Sequence, residues 1–450
     1  MLSKFFSARS VAIIGASHKH GKIGNVILNN FLDGKYKGKV FLVNSSVKKI
    51  HEKRCYASVL EIKDKIDLAV IAIPAEAVVK AAEECGKAGI KNLIIISAGF
   101  RESGRADLES RLKGILRKYG MRAIGPNCLG VFDGHTHLDT LFLPRYRLRR
   151  PEKGNMAFVC QSGAVGSAIL DYATEHGYGF SKFISYGNAM DVDESDLIEF
   201  LGNDRSTKVI CVYLEGAKDG KKLLSTLRKV SKKKPIVAIK GGKSEQGNKA
   251  AMSHTGSLAG SAAVYSGVFK QANVIEAQGL EEMFEYAAIL DSEIRPKGNR
   301  VQVITNGGGY GILSTDAVIE NNLRMAKLSK QSLDQLKRKM PGILTENPMD
   351  LLGDADDQRY QTALNIAIKD KNVDIILLIA LYQTPLLTPK MVDIISRAKM
   401  RHKKPIVVVS TGGDFTEKLT ERLEEKGVLT YTFPHNAVRA IKKLVDYYGR

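Results

Sequence analysis

One histidine lies in a stretch of small and polar residues that would let it move. His254 stands within Ser253 to Gly260, a serine- and glycine-rich run that follows a short apolar strand predicted at Pro235 to Ile239. A neutral imidazole is nucleophilic near pH 7, and glycine permits large backbone changes at little steric cost. This pattern indicates a mobile nucleophile, although a solvated loop histidine without a chemical role would show the same pattern.

A carboxylate is expected at the same edge of the same sheet. Glu215 ends the apolar run Val209 to Leu214, and His254 follows the next predicted strand of that domain. The carboxyl ends of parallel strands meet at one edge. Glu215 could therefore hold the imidazole Nδ1–H and stabilise a charged phosphohistidine, or it could be an ordinary acid of a surface loop.

Two glycine-containing turns occur at matching places, each after the first strand of a predicted domain and before an amphipathic helix. A turn of this kind exposes backbone N–H groups where the helix dipole is positive, and so binds phosphate. One such turn is a weak signal, and two are a stronger one. We expect the two helix ends to hold one phosphoryl group from two sides; the residues are Gln161, Ser162, Gly163 and Ala164, and then Asn306, Gly307 and Gly308.

A third turn, Gly15 to Gly24, follows the first strand of the chain. Its spacing is not the GxGxxG of a dinucleotide fingerprint, and Asn44 stands where an acidic residue would hold a ribose. NAD is therefore disfavoured. A nucleotide held by its phosphates across the carboxyl ends of the strands is expected instead. Those ends carry Asn44, Pro74, Ser97, Ala98, Gly99, Phe100, Pro126 and Asn127.

Short apolar runs alternate with helical stretches along the whole chain. Runs such as Val11 to Ile14 and Leu68 to Ile73 are typical of strands buried on both faces of a parallel sheet. The alternation predicts doubly wound α/β domains. We expect a first domain at residues 1–132, a linker with a basic, proline-flanked stretch at 133–152, a second domain at 153–294 and a third at 300–450.

Composition limits the possible classes of protein. The 450 residues are 44% hydrophobic, enough for real cores. No apolar run approaches the roughly 18 residues that span a bilayer, and the first ten residues lead directly into a strand, so neither membrane insertion nor a signal peptide is expected. A cytoplasmic location without disulfides is predicted, because no two cysteines are close in sequence: Cys55, Cys85, Cys128, Cys160 and Cys211.

The formal net charge of +20 suggests anionic partners. The lysines are spread along helices and turns, and no zinc finger, basic arm or RRM-like aromatic motif is present, so nucleic acid is not expected. A diffuse positive field suits phosphates and nucleotides as well. An acidic run at a predicted helix start is read as complementing the helix dipole and not as a metal site: Asp191, Asp193, Glu194 and Asp196.

The chain resembles the α subunits of ADP-forming acetyl-CoA synthetases, in the superfamily of NDP-forming acyl-CoA synthetases that includes succinyl-CoA synthetase. The resemblance covers essentially all of the chain. Its motifs, specific when taken together and in this order, are Ile14–Ser17, Ser97–Phe100, Gly125–Gly130, Gln161–Ala164, Tyr213–Gly216, Ser253–Gly256, Thr305–Gly308 and Asn347–Leu351.

The resemblance implies a CoA-binding Rossmann-like domain followed by two flavodoxin-like domains. It implies that His254 is phosphorylated, that Glu215 is its partner, and that the turns at Ser162 and Asn306 head the helices that grip the phosphate. Coenzyme A would lie across the first domain, against Gly15, Ala16, Ser17, Lys22, Ile23, Gly24, Asn44, Pro74, Ser97, Ala98, Gly99, Phe100 and Asn127.

The same resemblance implies a reaction and a partner. Acyl-CoA, phosphate and ADP would give a carboxylic acid, CoA and ATP through an acyl phosphate and a phosphohistidine. The chain has no Walker A motif and no segment left over for an ATP-grasp fold. A separate ATP-grasp β subunit is therefore expected, with Mg²⁺ entering on the nucleotide and an α2β2 assembly.

Three other functions remain as alternatives. A succinyl-CoA synthetase α subunit would resemble only the first two domains, and the region after residue 300 argues against it. A non-catalytic CoA-binding regulator would need neither Glu215 nor His254. A protein acetyltransferase fusion would need a further segment, and none remains to be assigned.

Overall fold

The computed structural model describes residues 2–249, 261–292 and 295–449. Contacts between residues divide the chain into two compact units, Met1–Met283 and Phe284–Arg450. The first unit contains two sheets and the second contains one. No helix among the described residues combines the length and the apolar character needed to cross a bilayer.

The first sheet has the order β3-β4-β2-β1-β5-β6-β7 and is parallel except for the β3–β4 pair. The strand order reverses between β1 and β5, the position at which doubly wound sheets bind ligands. Its strands are β1 (Ser10–Ile14), β2 (Lys39–Val43), β3 (Lys49–Ile50), β4 (Lys53–Tyr56), β5 (Leu68–Ile71), β6 (Asn92–Ile95) and β7 (Arg122–Ile124); its helices are α1 (Lys4–Ser7), α2 (Ile23–Asp33), α3 (Ala75–Lys87) and α4 (Ala106–Tyr119).

The second sheet has the order β13-β12-β11-β9-β10-β8, and only its edge strand β8 is antiparallel to its neighbour. Every residue of β10 and β12 is buried, as expected for strands covered by helices on both faces. The strands are β8 (Gly130–Asp133), β9 (Lys153–Cys160), β10 (Phe180–Ser185), β11 (Val209–Leu214), β12 (Ile236–Lys240) and β13 (Ile275–Glu276); the helices are α5 (Gly163–Glu175), α6 (Glu194–Asn203), α7 (Gly220–Val230) and α8 (Ala262–Ala272).

The third sheet, in the second unit, has the order β15-β14-β17-β18-β19, with β16 also paired to β14, and it is parallel throughout. Helix α9 (Leu280–Asp291) precedes it in the chain. The strands are β14 (Arg300–Thr305), β15 (Arg324–Met325), β16 (Met349–Asp350), β17 (Ile375–Ile379), β18 (Ile406–Val409) and β19 (Leu429–Tyr431); the helices are α10 (Gly308–Glu320), α11 (Lys330–Lys339), α12 (Asp357–Ala367), α13 (Lys390–Arg401), α14 (Asp414–Glu425) and α15 (Pro434–Tyr448).

These sheets confirm the predicted α/β class. The apolar runs read as strands are strands, and the helix predicted at Ala75 to Ala88 is α3 (Ala75–Lys87). Strand β8 belongs to the second sheet, although the sequence division places most of it in the first domain. One hydrophobic core cluster also contains residues of both the first and the second predicted domain, among them Phe5 and Phe269. The division of the chain into three domains stays a prediction.

Residues 134–152, the connecting segment, pack against helix α2. The Asn30 side-chain amide donates to the carbonyl oxygens of Leu141 and Leu143 at 2.6 and 3.1 Å. Farther along, Arg150 donates through Nε to Asp139 Oδ2 at 2.9 Å, and Arg145 lies 3.0 Å from the same carboxylate. Asp139 has no exposed surface. The expected linker is therefore held in place by a buried ionic cluster.

Candidate active site

Three neighbouring strands of the second sheet end in polar residues that lie together. Gln161 follows β9, Glu215 follows β11, and Lys240 ends β12. The Gln161 side-chain oxygen accepts hydrogen bonds from the backbone N–H groups of Glu215 and Gly216, at 2.8 and 3.2 Å. Gln161 thus fixes the backbone that carries Glu215. Its expected contact with phosphate stays a prediction.

The Glu215 side chain is buried, with 8% of its surface exposed, so it is not an acid of a surface loop. The Tyr213 hydroxyl is hydrogen-bonded to its carboxylate, and burial together with the Glu215 charge raises the pKa of Tyr213 to about 12. Lys240 is also buried, which lowers its pKa, while the Glu215 charge acts in the opposite direction. A buried carboxylate that is hydrogen-bonded to a phenol and lies in the field of a buried ammonium is well placed to orient an imidazole.

The turn after β12 packs against the strand that carries this carboxylate. Gly241 donates to the Leu214 carbonyl at 2.8 Å. A Cβ at Gly241 would lie 2.5 Å from the Tyr213 hydroxyl, so only glycine leaves room for the phenol. His254 and the stretch Ser253 to Gly260 lie outside the described residues.

The turn at Ser162 has the features of an anion site. Ser162 caps α5 by accepting from the Val165 N–H at 3.3 Å. A Cβ at Gly163 would meet nothing within 4 Å, so the start of the helix adjoins open space. The first N–H groups of a helix have no partner within it, and Gly163 and Ala164 supply two of them. Phosphate binding here stays a prediction.

The turn at Asn306 is built differently, although it also precedes a helix. The Asn306 side chain is occupied: its oxygen accepts from the Leu381 N–H at 3.0 Å and from the Tyr360 hydroxyl at 2.8 Å. Its amide nitrogen donates to the Leu381 carbonyl at 3.1 Å. Asn306 therefore fixes the turn. The Gly307 N–H donates to the Thr305 hydroxyl at 2.9 Å, so the predicted contact of this turn with phosphate falls to the Gly308 N–H.

At the first sheet, the turn after β1 requires glycine. Gly15 has φ +96°, and a Cβ there would lie 2.3 Å from the Ala72 carbonyl oxygen. Asn44, at the end of β2, donates to the Ala16 carbonyl at 2.8 Å. Two other predicted contacts, Lys22 and Ile23, are exposed where α2 begins. Ser17 and Gly24 belong to the same turn, which packs against the ends of β2 and β5.

The remaining predicted contacts surround the ends of β5 and β6. The Ser97 hydroxyl donates to the Ile73 carbonyl at 2.5 Å, next to Pro74, and the Asn127 N–H donates to the Ser97 carbonyl at 2.9 Å. Ala98 is exposed. Phe100 is fully buried in the core, its N–H donates to the Glu102 carboxylate at 3.2 Å, and its carbonyl accepts from the Ser103 and Arg105 N–H groups, so it serves to hold this turn together.

Sequence reasoning missed a hydrogen-bonded chain that joins the two sheets of the first unit. The Glu102 carboxylate accepts from the Gly99 N–H at 2.6 Å and, through its other oxygen, from the Asn188 side chain at 2.6 Å. Lys218, which follows Glu215 by three residues, donates to the Asn188 carbonyl at 2.8 Å. The acidic residue three positions after Gly99 was the available signal, because carboxylates commonly cap the N–H groups of turns.

The acidic run lies at the start of α6, and its predicted role in complementing the helix dipole stays a prediction. Asp193 caps the helix by accepting from the Asp196 N–H, and Arg122 pairs with Asp191 and Asp196 at 2.9 and 2.6 Å. Within residues 2–249, 261–292 and 295–449, no group of three metal-ligating side chains is found.

Glu194 differs from its acidic neighbours, because it is 3% exposed. Burial, and then the charge of Asp193, raise its pKa from 4.5 to about 7, against the opposing charges of Lys222 and Lys218. Between those pH values the folded state binds more protons than the unfolded state, so the free energy of unfolding falls as pH rises.

We expect Glu194→Gln to remove this penalty. The stability of the variant relative to the parent should rise by about 3 kcal/mol between pH 4.5 and pH 7, measured by urea unfolding across that range. Glu199→Gln, on the exposed side of the same helix, should show no such trend. Parallel stability curves for Glu194→Gln and the parent protein would contradict the assignment.

Three family models match successive parts of the chain. A CoA binding domain matches residues 9–133, a succinyl-CoA ligase like flavodoxin domain matches residues 153–290, and a Ligase-CoA domain matches residues 301–446. These matches confirm the expected combination of a CoA-binding domain with succinyl-CoA ligase-like domains.

Relatives match the chain from end to end. The α subunit of ADP-forming acetate–CoA ligase II from Pyrococcus furiosus is 39% identical, over 99% of this chain and 98% of that subunit. An ADP-forming acetate–CoA ligase I from Archaeoglobus fulgidus is also 39% identical, and the match covers 99% of this chain but 64% of that protein. A solved structure of acetyl-coenzyme A synthetase 1 from Candidatus Korarchaeum cryptofilum, in complex with phosphate and ADP, superposes with a TM-score of 0.93 at 36% identity, over 99% of this chain and 97% of that one.

Full-length matches at this level of identity confirm the resemblance stated from the motifs. The chain belongs to the family of ADP-forming acetate–CoA ligase α subunits.

Proposed function

We propose that the chain is the α subunit of an ADP-forming acyl-CoA synthetase, with acetyl-CoA as the first substrate to test. Phosphate attacks the thioester carbonyl and displaces CoA, which leaves an acyl phosphate. A nitrogen of His254 then takes the phosphoryl group and frees the carboxylate. Finally the phosphohistidine transfers that group to ADP, which gives ATP and restores the imidazole.

The observation that carries the proposal is the match to the Pyrococcus α subunit along 99% of this chain. The buried Glu215 supports the phosphohistidine step. Its carboxylate lies beside Tyr213 and Lys240 at the edge from which the chain leads to His254. An anionic partner there would favour the imidazolium-like charge of a phosphorylated histidine.

Each of the remaining predicted sites has a role in this scheme. The edge of the first sheet around Gly15, Asn44 and Ser97 would bind CoA. The helix starts at Gly163 and Gly308 would each offer N–H groups to phosphate oxygens. Phosphoryl transfer needs mostly positioning and charge stabilisation, and helix ends can supply both.

We further propose a cytoplasmic α2β2 enzyme whose β subunit carries the ATP-grasp site. Two relatives are named as α subunits, which supports the existence of a partner chain. In the proposed assembly, Mg²⁺ arrives with the nucleotide on the β subunit.

The experiment is to incubate the chain with acetyl-CoA and labelled phosphate and to map the label by mass spectrometry, with and without the β subunit. Acid-labile phosphate on His254 is the expected result. If CoA binds but no label appears in either sample, with acetyl-CoA or with larger acyl-CoAs, the phosphohistidine step is wrong.

A succinyl-CoA ligase α subunit is the nearest alternative enzyme. One such subunit from Archaeoglobus fulgidus is 28% identical over only 45% of this chain. The region that matches a Ligase-CoA domain, residues 301–446, favours the acetate–CoA ligase family. A non-catalytic CoA-binding regulator would leave the burial of Glu215 beside Tyr213 and Lys240 unexplained.

A further inference from the structure

An exposed aromatic side chain adjoins the turn Gly15 to Gly24 but belongs to the connecting segment. Tyr146 is 69% exposed. Its ring stacks with the imidazole of His20, with centroids 6.3 Å apart and planes inclined by 25°. The guanidinium carbon of Arg147 lies 5.8 Å from the Tyr146 ring centroid. We call His20, Tyr146 and Arg147 the aromatic–basic cluster.

The backbone under this cluster is fixed on both sides. The N–H groups of Arg147 and Leu148 donate to the Pro144 carbonyl at 3.0 and 3.1 Å. Asn30 and Arg150 both donate to the Leu143 carbonyl, at 3.1 and 2.6 Å. The backbone that carries Tyr146 is thus already ordered, so the binding of a ligand that stacks on this ring costs little conformational entropy in the loop.

The surroundings of the cluster are cationic. Lys19, Lys22 and Arg147 are exposed, and none of them forms an ion pair with a carboxylate among the described residues. The turn that carries the two lysines also precedes α2, whose amino end adds positive potential. An exposed stacking face beside several uncompensated cations suits an aromatic base that carries phosphate groups.

We propose that the aromatic–basic cluster binds the 3′-phosphoadenosine end of CoA. The adenine stacks on Tyr146 and His20, and Arg147 contacts the 3′-phosphate. This inference rests on the proposed function, which makes CoA a substrate. Free ADP shares the adenine and the diphosphate but lacks the 3′-phosphate, so the two sources can be distinguished.

The test is calorimetric binding of CoA, 3′-dephospho-CoA and ADP to the full chain. Tyr146→Ala should weaken both forms of CoA about tenfold, the scale of one lost base–aromatic stack, and Tyr146→Phe should restore binding. Arg147→Gln should weaken CoA about fivefold but leave 3′-dephospho-CoA within about twofold. Arg117→Gln, in the last turn of α4, is the charge control and should change neither.

The outcomes separate the two proposals. If Tyr146→Ala leaves CoA affinity within about twofold, or lowers only ADP affinity, the adenine subsite is wrong. If Arg147→Gln weakens both forms of CoA equally, the assignment of the 3′-phosphate is wrong. If the parent chain binds no CoA at all, the proposed function fails, and this inference fails with it.

Discussion

Replacing His254 with alanine should lower ATP formation from acetyl-CoA, ADP and phosphate by at least about a thousandfold, because a methyl group cannot accept the phosphoryl group. CoA affinity should stay within about twofold of the parent value, since the proposed CoA contacts lie on the first sheet. The measurements are coupled ATP synthesis with the β subunit present, and CoA binding by calorimetry.

Ser257→Ala is the matched control for the His254 experiment. It removes a small polar side chain from the same glycine-rich stretch but leaves the imidazole in place, so most of the turnover should remain. Residual turnover above about a tenth in His254→Ala would mean that the phosphoryl group reaches ADP without this histidine.

Replacing Asp139 with alanine should destabilise the first unit by about 3–5 kcal/mol. The substitution removes the carboxylate that pairs with Arg150 at 2.9 Å and with Arg145 at 3.0 Å. The Arg150 side chain is 3% exposed, so its guanidinium would remain buried without its counter-ion. Hydrogen exchange of the β1 amides during urea unfolding would measure the loss in the first unit.

The control is Asp64→Ala, which breaks the surface pair between Asp64 and Lys39. Both side chains are more than half exposed, and such pairs contribute less than about 1 kcal/mol. The double substitution of Asp139→Leu with Arg150→Met should recover part of the loss, because apolar groups of similar volume can replace a buried ion pair. If Asp139→Ala costs no more than Asp64→Ala, the cluster does not hold the connecting segment.

The strands with continuous apolar sequence were predictable, because burial on both faces of a parallel sheet requires that sequence. Strand β10 was not found in this way, since it contains Lys182. The structure shows the reason: Lys182 is buried and lies 2.8 Å from Asp204 and 3.3 Å from Asp133. A charge inside a strand is neutralised by partners that are distant in sequence, and no local pattern reveals them.

For the candidate site, sequence reasoning placed Glu215 at a sheet edge but could not show what surrounds it. Tyr213 precedes Glu215 by two residues, whereas Lys240 stands on the neighbouring strand, in register with Leu214. Phe100 was predicted as a CoA contact because its motif lies at a strand end, and its ring is instead buried in the core. Strand ends identify the edge of the sheet, while the direction of each side chain depends on packing between elements.

Strand β8 has a consequence for how the gene for such a protein can be divided. It pairs with β10 as the outermost strand of the second sheet, yet it precedes residues 153–290, which match the flavodoxin domain model. A recombination junction just before that matched region would separate β8 from β10. The outer edge of β10 would then have unpaired amide and carbonyl groups, which promote aggregation. A segment of the gene that keeps β8 paired with β10 therefore begins before the codon for residue 130.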